Sequence, residues 1–357
     1  MKKNFIFLST LLMAVCCLLF IKCKKHDSPP NYSNLWQKLN VPYFGRISDI
    51  EFTSRDTGYI IGYDTTAPGG STIVKTYDGG QTWQKIYFQH VVASANNLQP
   101  AGAWLQVSPF NSNILFSMAG GINIVYIIRS IDGGYHWKII DSTQSHAAWG
   151  QYHFFTPANV IRSGEFIYTS IDSGFTWSKV YDPQNGFADF QMLQFTSAQT
   201  GYTSGGVFFD GVNYGRMAKT NDGGNAWQQV NYPFHDITGM SFIDDNTGYV
   251  TMNMDSGNIA RTYFGGTDLY KTSDGSLTWS IVKKNIFSNY EVGAIDLYFR
   301  NEKDGFVLSA GVYHTTDGGN TWDNEGPSSN ISKLFFPNSS CCYAIDDQDN
   351  VFKRTFQ

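Results

Sequence analysis

The sequence predicts an all-β chain folded as a seven-bladed β-propeller of four-stranded antiparallel blades. Three observations predict it. One eight-residue phrase recurs six times, a second turn recurs upstream of several copies, and the 357 residues are rich in aromatics and poor in charge. The phrase first appears with Thr76, Asp78, Gly79, Gly80, Thr82 and Trp83. Later copies carry Asp132 and Trp137, Asp172 and Trp177, Asp222 and Trp227, Asp274 and Trp279, and Asp317 and Trp322 at the matching positions. Successive aspartates are 54, 40, 50, 52 and 43 residues apart. Periods of about 40–50 residues suit one propeller blade.

Each copy lies between strand-like runs, such as Ile73 to Lys75 before Asp78 and Trp83 to Ile86 after it, so the phrase reads as a hairpin turn. Its aspartate can accept hydrogen bonds from the amides of its own turn, and the Ser or Thr two residues earlier can bond locally. Glycine supplies positive φ. The closing tryptophan buries a large ring as the next strand departs. These are structural roles. A calcium loop would need further carboxylates in ladder spacing, which the phrase lacks, so no metal is assigned. No cofactor motif occurs either.

The upstream turn appears as Asp56-Thr57-Gly58-Tyr59, Gln199-Thr200-Gly201-Tyr202, Asn246-Thr247-Gly248-Tyr249 and Lys303-Asp304-Gly305-Phe306. A unit then reads as strand, this turn, strand, variable loop, strand, Asp-Gly turn, strand. The Asp-Gly phrase resembles the Asp-box, or bacterial neuraminidase repeat. Its combination with the Thr-Gly-Tyr turn is similar to the photosystem II stability/assembly factor family, over nearly all of the chain after residue 33. The resemblance implies the propeller fold. It does not carry the photosystem role across, because that family's partner surface is basic and this chain is acidic.

Six phrases give six units. A seventh begins at Ile331, continues through Cys341 to Ile345, and reaches Val351 to Arg354 without a fourth strand. Leu35 to Leu39 reads like a strand that follows a phrase. An N-terminal strand completing the last blade would close the ring and remove its open edge. Charged residues make up 15% of the chain, against a usual figure of about 25%, and aromatics 16%, as expected of blades packed on both faces.

Residues 1–22 read as a bacterial lipoprotein signal peptide. Lys2 and Lys3 precede an uncharged apolar run from Asn4 to Ile21, and Cys23 follows as the expected acyl acceptor. Lys22 departs from the small residue usual before such a cysteine. An uncleaved anchor, or acylation at Cys16 or Cys17, is the alternative. Residues 23–33 read as a tether and residues 34–357 as the propeller, exported and held at the membrane by its lipid. Loss of Lys2, Lys3 and Lys22 takes the net charge from −5 to −8, which argues against nucleic acid. Cys341 and Cys342 are neighbours on a strand, read as thiols on opposite faces.

Loop lengths give the positional clue to function. Both repeated turns fall on one face of the disc, and the long segments Asp64–Thr72, Phe88–Gly102, Asp141–Gln151, Gly206–Arg216 and Met252–Thr267 fall on the other. Variable loops on a rigid scaffold are where binding residues collect. The candidate ligand face is therefore Arg46, His90, Trp104, His146, Trp149, His153, Asp210, Tyr214, Arg216, Arg261, Tyr263, Tyr290 and Glu291. The function expected is a non-catalytic, monomeric propeller that binds a protein or glycan. A carbohydrate-active enzyme is the alternative. A sialidase is its weakest form, because Phe44-Gly45-Arg46-Ile47-Ser48 lacks the proline of the sialidase entry motif.

Overall fold

The computed structural model describes residues 32–42, 44–63, 71–86, 91–93, 96–98, 104–120, 125–143, 150–183, 189–209, 212–231, 237–255, 264–287, 294–327 and 330–356. Seven four-stranded antiparallel sheets form the blades of a propeller. Blade 1 contains Arg46–Phe52, Gly58–Tyr63, Ser71–Thr76 and Gln84–Ile86, from the innermost strand outward. Blades 2 to 6 repeat this order, with innermost strands Leu105–Val107, Tyr152–Phe154, Asp189–Phe195, Ile237–Phe242 and Asp296–Phe299. Blade 7 contains Ile331–Asn338, Cys341–Asp346 and Val351–Thr355, and its outermost strand is the N-terminal Gln37–Leu39. Gln37 pairs with Lys353 and Leu39 with Val351.

The six Asp-Gly turns share the hydrogen bonds of the aspartate and of the Ser or Thr two residues before it, and in blades 1, 2, 4 and 6 the closing tryptophan adds a bond to the carbonyl of the second glycine. In blade 1 the Thr76 hydroxyl donates to Asp78 Oδ1 at 2.8 Å and accepts from the Gly80 amide at 2.9 Å. Asp78 accepts from the Thr82 amide and hydroxyl at 2.9 and 2.6 Å, and Trp83 Nε1 donates to the Gly80 carbonyl. Gly79 and Gly80 have φ of 71° and 93°. Ser173 and Ser276 take the same left-handed region with a side chain attached, at 62° and 74°. In all six blades the residue after the aspartate also donates its amide to the inner turn of its own blade, as Gly79 does to Asp56 and Gly318 to Lys303. The two turns are thereby stitched together on one face, the turn face.

The glycine of the Thr-Gly-Tyr turn has a different reason from a bend in the chain. Phe52 pairs with Gly58 across the sheet, and a Cβ on Gly58 would meet the Phe52 ring at 2.4 Å. Gly201, Gly248 and Gly305 lie under Phe195, Phe242 and Phe299 in the same way. Three of these phenylalanines stack on a tyrosine of the preceding blade: Phe52 on Tyr343, Phe242 on Tyr202 and Phe299 on Tyr249, with centroids 3.5–3.9 Å apart. The tyrosine then reaches across the junction. The hydroxyls of Tyr59, Tyr202 and Tyr249 donate to the carbonyls of Ser112, Asp245 and Glu302 in the next blade.

Blade 6 has Phe306 where these blades have tyrosine, and its junction with blade 7 carries charge instead. His314 stacks on Phe306 at 4.3 Å and bonds Glu325 at 2.9 Å. Arg354 meets Glu325 at 2.7 Å, and Trp36 donates its indole N–H to the Glu325 carbonyl at 2.6 Å. Trp36 packs among Phe306, Leu308, Val312 and Leu334, so one ring joins the N-terminal strand to two blades. Cys341 and Cys342 are both free and buried, in two different blade junctions.

Deleting residues 34–40 removes Trp36 and opens the edge of Val351–Thr355, so it should cause aggregation or a large drop in melting temperature. A protein beginning at Pro42 that melts like the parent would contradict the closed ring. Asp222 is exposed, so screening reduces what its hydrogen bonds contribute. Asp222→Ala should lower stability by about 1 kcal/mol in denaturant titration. The turn hydrogen bonds to the Thr176 and Thr321 amides hold Asp172 and Asp317 down at about 2, below the ordinary 3.8. Stability from these turns is therefore complete above pH 4 and drains away as pH falls toward 2.

Candidate functional site

The innermost strands enclose the central channel, which contains a cavity of about 500 Å³. Alternation along each strand turns every second residue inward. At one level the channel presents Asp49, Trp104, Gln151, Met192, Asp296 and Lys333; two residues further along, blades 1, 2, 4, 6 and 7 present Glu51, Gln106, Gln194, Tyr298 and Phe335, and blade 5 presents Ser241. In blade 6 the order is set by direction: Asp296 lies toward the loop face, and Tyr298, stacked on Phe336 at 4.0 Å, toward the turn face.

Many of the polar groups bridge neighbouring inner strands, which splay apart around the ring. Asp49 accepts from the Leu105 amide at 2.9 Å, and Gln151 from the Leu193 amide at 2.8 Å. Gln194 both accepts from the Phe242 amide and donates to its carbonyl. Ser241 accepts from the Phe299 amide at 2.8 Å. Gln106 donates to Glu51 at 2.7 Å. The channel wall is thus a structural girdle as well as a cavity lining.

Three carboxylates surround one amine. Lys333 Nζ contacts Asp49 Oδ1 directly. Burial works to discharge Lys333, but Asp49, Glu51 and Asp296 outweigh it and raise its pKa. Burial, with the charge of Asp49, pushes Glu51 well above the carboxylate range, against the opposing effects of Lys333 and Gln106. Solvent reaches Asp296 along the channel, yet the surrounding strands wall it in. That enclosure raises its carboxyl to about 6, with the Leu297 amide and Lys333 pulling the other way. Shifted carboxylates in a cavity mark a candidate site, because they favour a ligand that relieves them.

The expected ligand face maps onto this geometry unevenly. Trp104 lines the cavity and packs on Tyr152 at 5.2 Å. His153 sits on the inner strand of blade 3 but is turned against Phe195, with ring centroids 4.4 Å apart. Burial lowers its pKa to about 4. Arg216 is half-buried and donates to the Pro183 carbonyl at 2.6 Å. Arg46 is exposed at the loop-face end of the inner strand of blade 1. Tyr214 belongs to a strand, opposite Val207. His90, His146, Trp149, Asp210, Arg261, Tyr263, Tyr290 and Glu291 lie outside the described residues. Arg46 and Arg216 are not in the cavity wall.

Two segments read as loops are corrected to hairpin arms. Gly201–Phe209 pairs with Val212–Thr220 out to Phe209 and Val212. Gly248–Asp255 pairs with Phe264–Thr272 out to Asp255 and Phe264. Strand pairing continues past the blade edge there, so much of 206–216 and 252–267 is ordered sheet. The segment 88–102 also holds a small hairpin, Val91–Ala93 with Asn96–Leu98. The channel residues were missed for a simple reason. Loop length points to the ends of the strands, whereas the signal is the inward residue of the inner strands, such as Glu51 between Ile50 and Phe52.

Comparison with solved structures agrees on the fold. A structure of YCF48 bound to a D1 peptide superposes with a TM-score of 0.63 at 18% identity, covering 91% of this chain and 98% of that one. YCF48 from Cyanidioschyzon merolae gives 0.60 at 16% identity, covering 90% and 98%. The GH74 enzyme of Niastella koreensis gives 0.58 at 17% identity, covering 86% of this chain but 51% of the enzyme. No protein-family model matches the chain, and no curated protein does.

The Asp296 environment yields a prediction with a definite sign. Its folded pKa of about 6 lies above the ordinary 3.8, so its contribution to stability is retained below pH 4 and lost as pH rises through 6. Asp296→Asn should melt like the parent near pH 4 and above it at pH 8. A difference in melting temperature that does not change with pH would contradict this account of the channel.

Proposed function

We propose that this protein is a lipid-anchored, extracytoplasmic propeller that binds a segment of another protein at its channel and loop face, without catalysis. Its six Asp-Gly turns act as Asp-box staples, and acylated Cys23 would hold it at the membrane. The observation that carries the reading is the near end-to-end likeness to a propeller solved with a peptide bound. The cavity supports it, offering amides, carboxylates and aromatic rings along one passage, a mixture suited to polypeptide. A glycan-cleaving enzyme is the second reading. It is favoured by Glu51 and Asp296, two carboxylates with raised pKa values in one cavity, and by the partial GH74 likeness.

Replacing Trp104 with a photo-crosslinking phenylalanine in the full chain, within native membranes, separates the two. The protein-binding reading predicts one discrete protein adduct, and none from the same probe at Asn320 on the turn face. No adduct at position 104, together with β-glucan hydrolysis that disappears in Glu51→Gln while the fold is kept, would establish the enzyme instead.

A further inference from the structure

We propose that the turn face of blades 1–3 is a membrane-docking surface, seated on the lipid bilayer that holds the anchor. The inference rests on the lipoprotein reading of Cys23. Its first observation is an asymmetry among the six repeated turns. The position before the aspartate is exposed and is Tyr77, Ile131 and Ile171 in blades 1, 2 and 3, with exposures of 62%, 63% and 77%. In blades 4, 5 and 6 it is Asn221, Ser273 and Thr316. The same arc adds Tyr135, Phe175 and Phe110, each more than 40% exposed. Leu277 in blade 5 is the exception. None of these side chains is needed for the turn hydrogen bonds, which run through Asp, Thr and backbone atoms. A contiguous exposed apolar arc on an otherwise polar rim marks a contact surface.

The second observation is where the chain leaves the disc. Gln37 lies nearer the turn face than Leu39, because it pairs with Lys353 while Leu39 pairs with Val351 on a strand that runs toward that face. The chain before Trp36 therefore emerges on the turn face of blade 7, beside blade 1, with Leu35 41% exposed there. From Cys23 to Tyr32 there are nine links, which span roughly 30 Å at most. A tether that leaves from the turn face favours presenting that face, with its apolar arc, to the bilayer. The chemistry of the arc fits a lipid interface. Phe175 carries the exposed Lys138 over its ring at 5.3 Å, so a ring is paired with a cation at the depth where headgroups lie. Blades 5 and 6 turn Asp244, Asp245 and Glu302 to the same face, which disfavours contact on that side. Docked this way, the disc presents its channel mouth and hairpin arms away from the membrane.

The test places an environment-sensitive fluorophore on Ile131→Cys or Ile171→Cys, and on Thr316→Cys as control, in the full chain reconstituted into phosphatidylcholine vesicles. Cys341 and Cys342 are buried and escape labelling. Palmitate incorporation is measured on the same preparations. Acylated protein should show quenching by headgroup-region spin-labelled lipid several-fold stronger at 131 and 171 than at 316. Equal quenching at all sites, no quenching, or a blue shift that lipid spin labels leave untouched would overturn the docking while leaving the anchor in place. The last of these would assign the arc to a protein. Absence of palmitate would overturn the anchor itself, and the docking with it.

Discussion

The contact on which this architecture rests is the flat stacking of an inner-strand phenylalanine between a glycine of its own blade and a tyrosine of the blade before. Phe52, Phe242 and Phe299 each lie 3.5–3.9 Å from their tyrosine partner and would collide with any Cβ on the glycine beneath. A stacked pair adds about 0.5–1.5 kcal/mol beyond the area it buries. The three stacks together add about 1.5–4.5 kcal/mol. The tyrosine hydroxyl then bonds forward into the next blade, so each of these three junctions fixes both the spacing and the angular step. Where the tyrosine becomes Phe306, the ring relies on Trp36, His314, Glu325 and Arg354, and this is the junction where the N-terminal strand enters.

The two faces of the disc consequently do different work. The turn face is committed to structure: its aspartates, hydroxyls and positive-φ glycines are consumed in hydrogen bonds within each blade and between its two turns. Only side chains that project beyond those bonds are free to vary, and there the apolar arc appears. The channel is intermediate. Asp49, Gln151, Gln194 and Ser241 join neighbouring strands, while Glu51, Asp296 and Lys333 place ionisable groups in an enclosed space. A girdle built from polar side chains leaves a cavity that is already polar, so a binding function adds little to what the fold requires.

Much of the fold was legible because it repeats. The Asp-Gly phrase names its own hydrogen bonds, and the strand after it could be recognised at the N-terminus, where Trp36-Gln37-Lys38-Leu39 matches Trp83-Gln84-Lys85-Ile86. The Thr-Gly-Tyr turn was legible as a position but not as a mechanism. Its glycine answers to a phenylalanine six residues earlier, a cross-strand relation that spacing alone does not reveal. The site was less legible. Channel residues differ in type from blade to blade, being Glu51, Gln106, Gln194, Ser241 and Tyr298, so no motif marks them. His153 looked like a ligand and is a packing ring, whereas Trp104 does line the cavity. Hairpin arms looked like loops because pairing that outruns the blade carries the same glycine-rich composition.

The claim that most needs a direct test is this separation of a structural turn face from a functional channel. A saturation mutagenesis of the full chain, read once for abundance of folded protein and once for capture of a protein crosslinked at the channel, measures both quantities at every position. The account predicts that substitutions at Asp78, Asp172, Asp274 and Asp317 reduce abundance and capture in proportion, while substitutions at Glu51 and Asp296 reduce capture with abundance kept. Capture lost at the turn aspartates with abundance unchanged, or channel substitutions that reduce both equally, would contradict it.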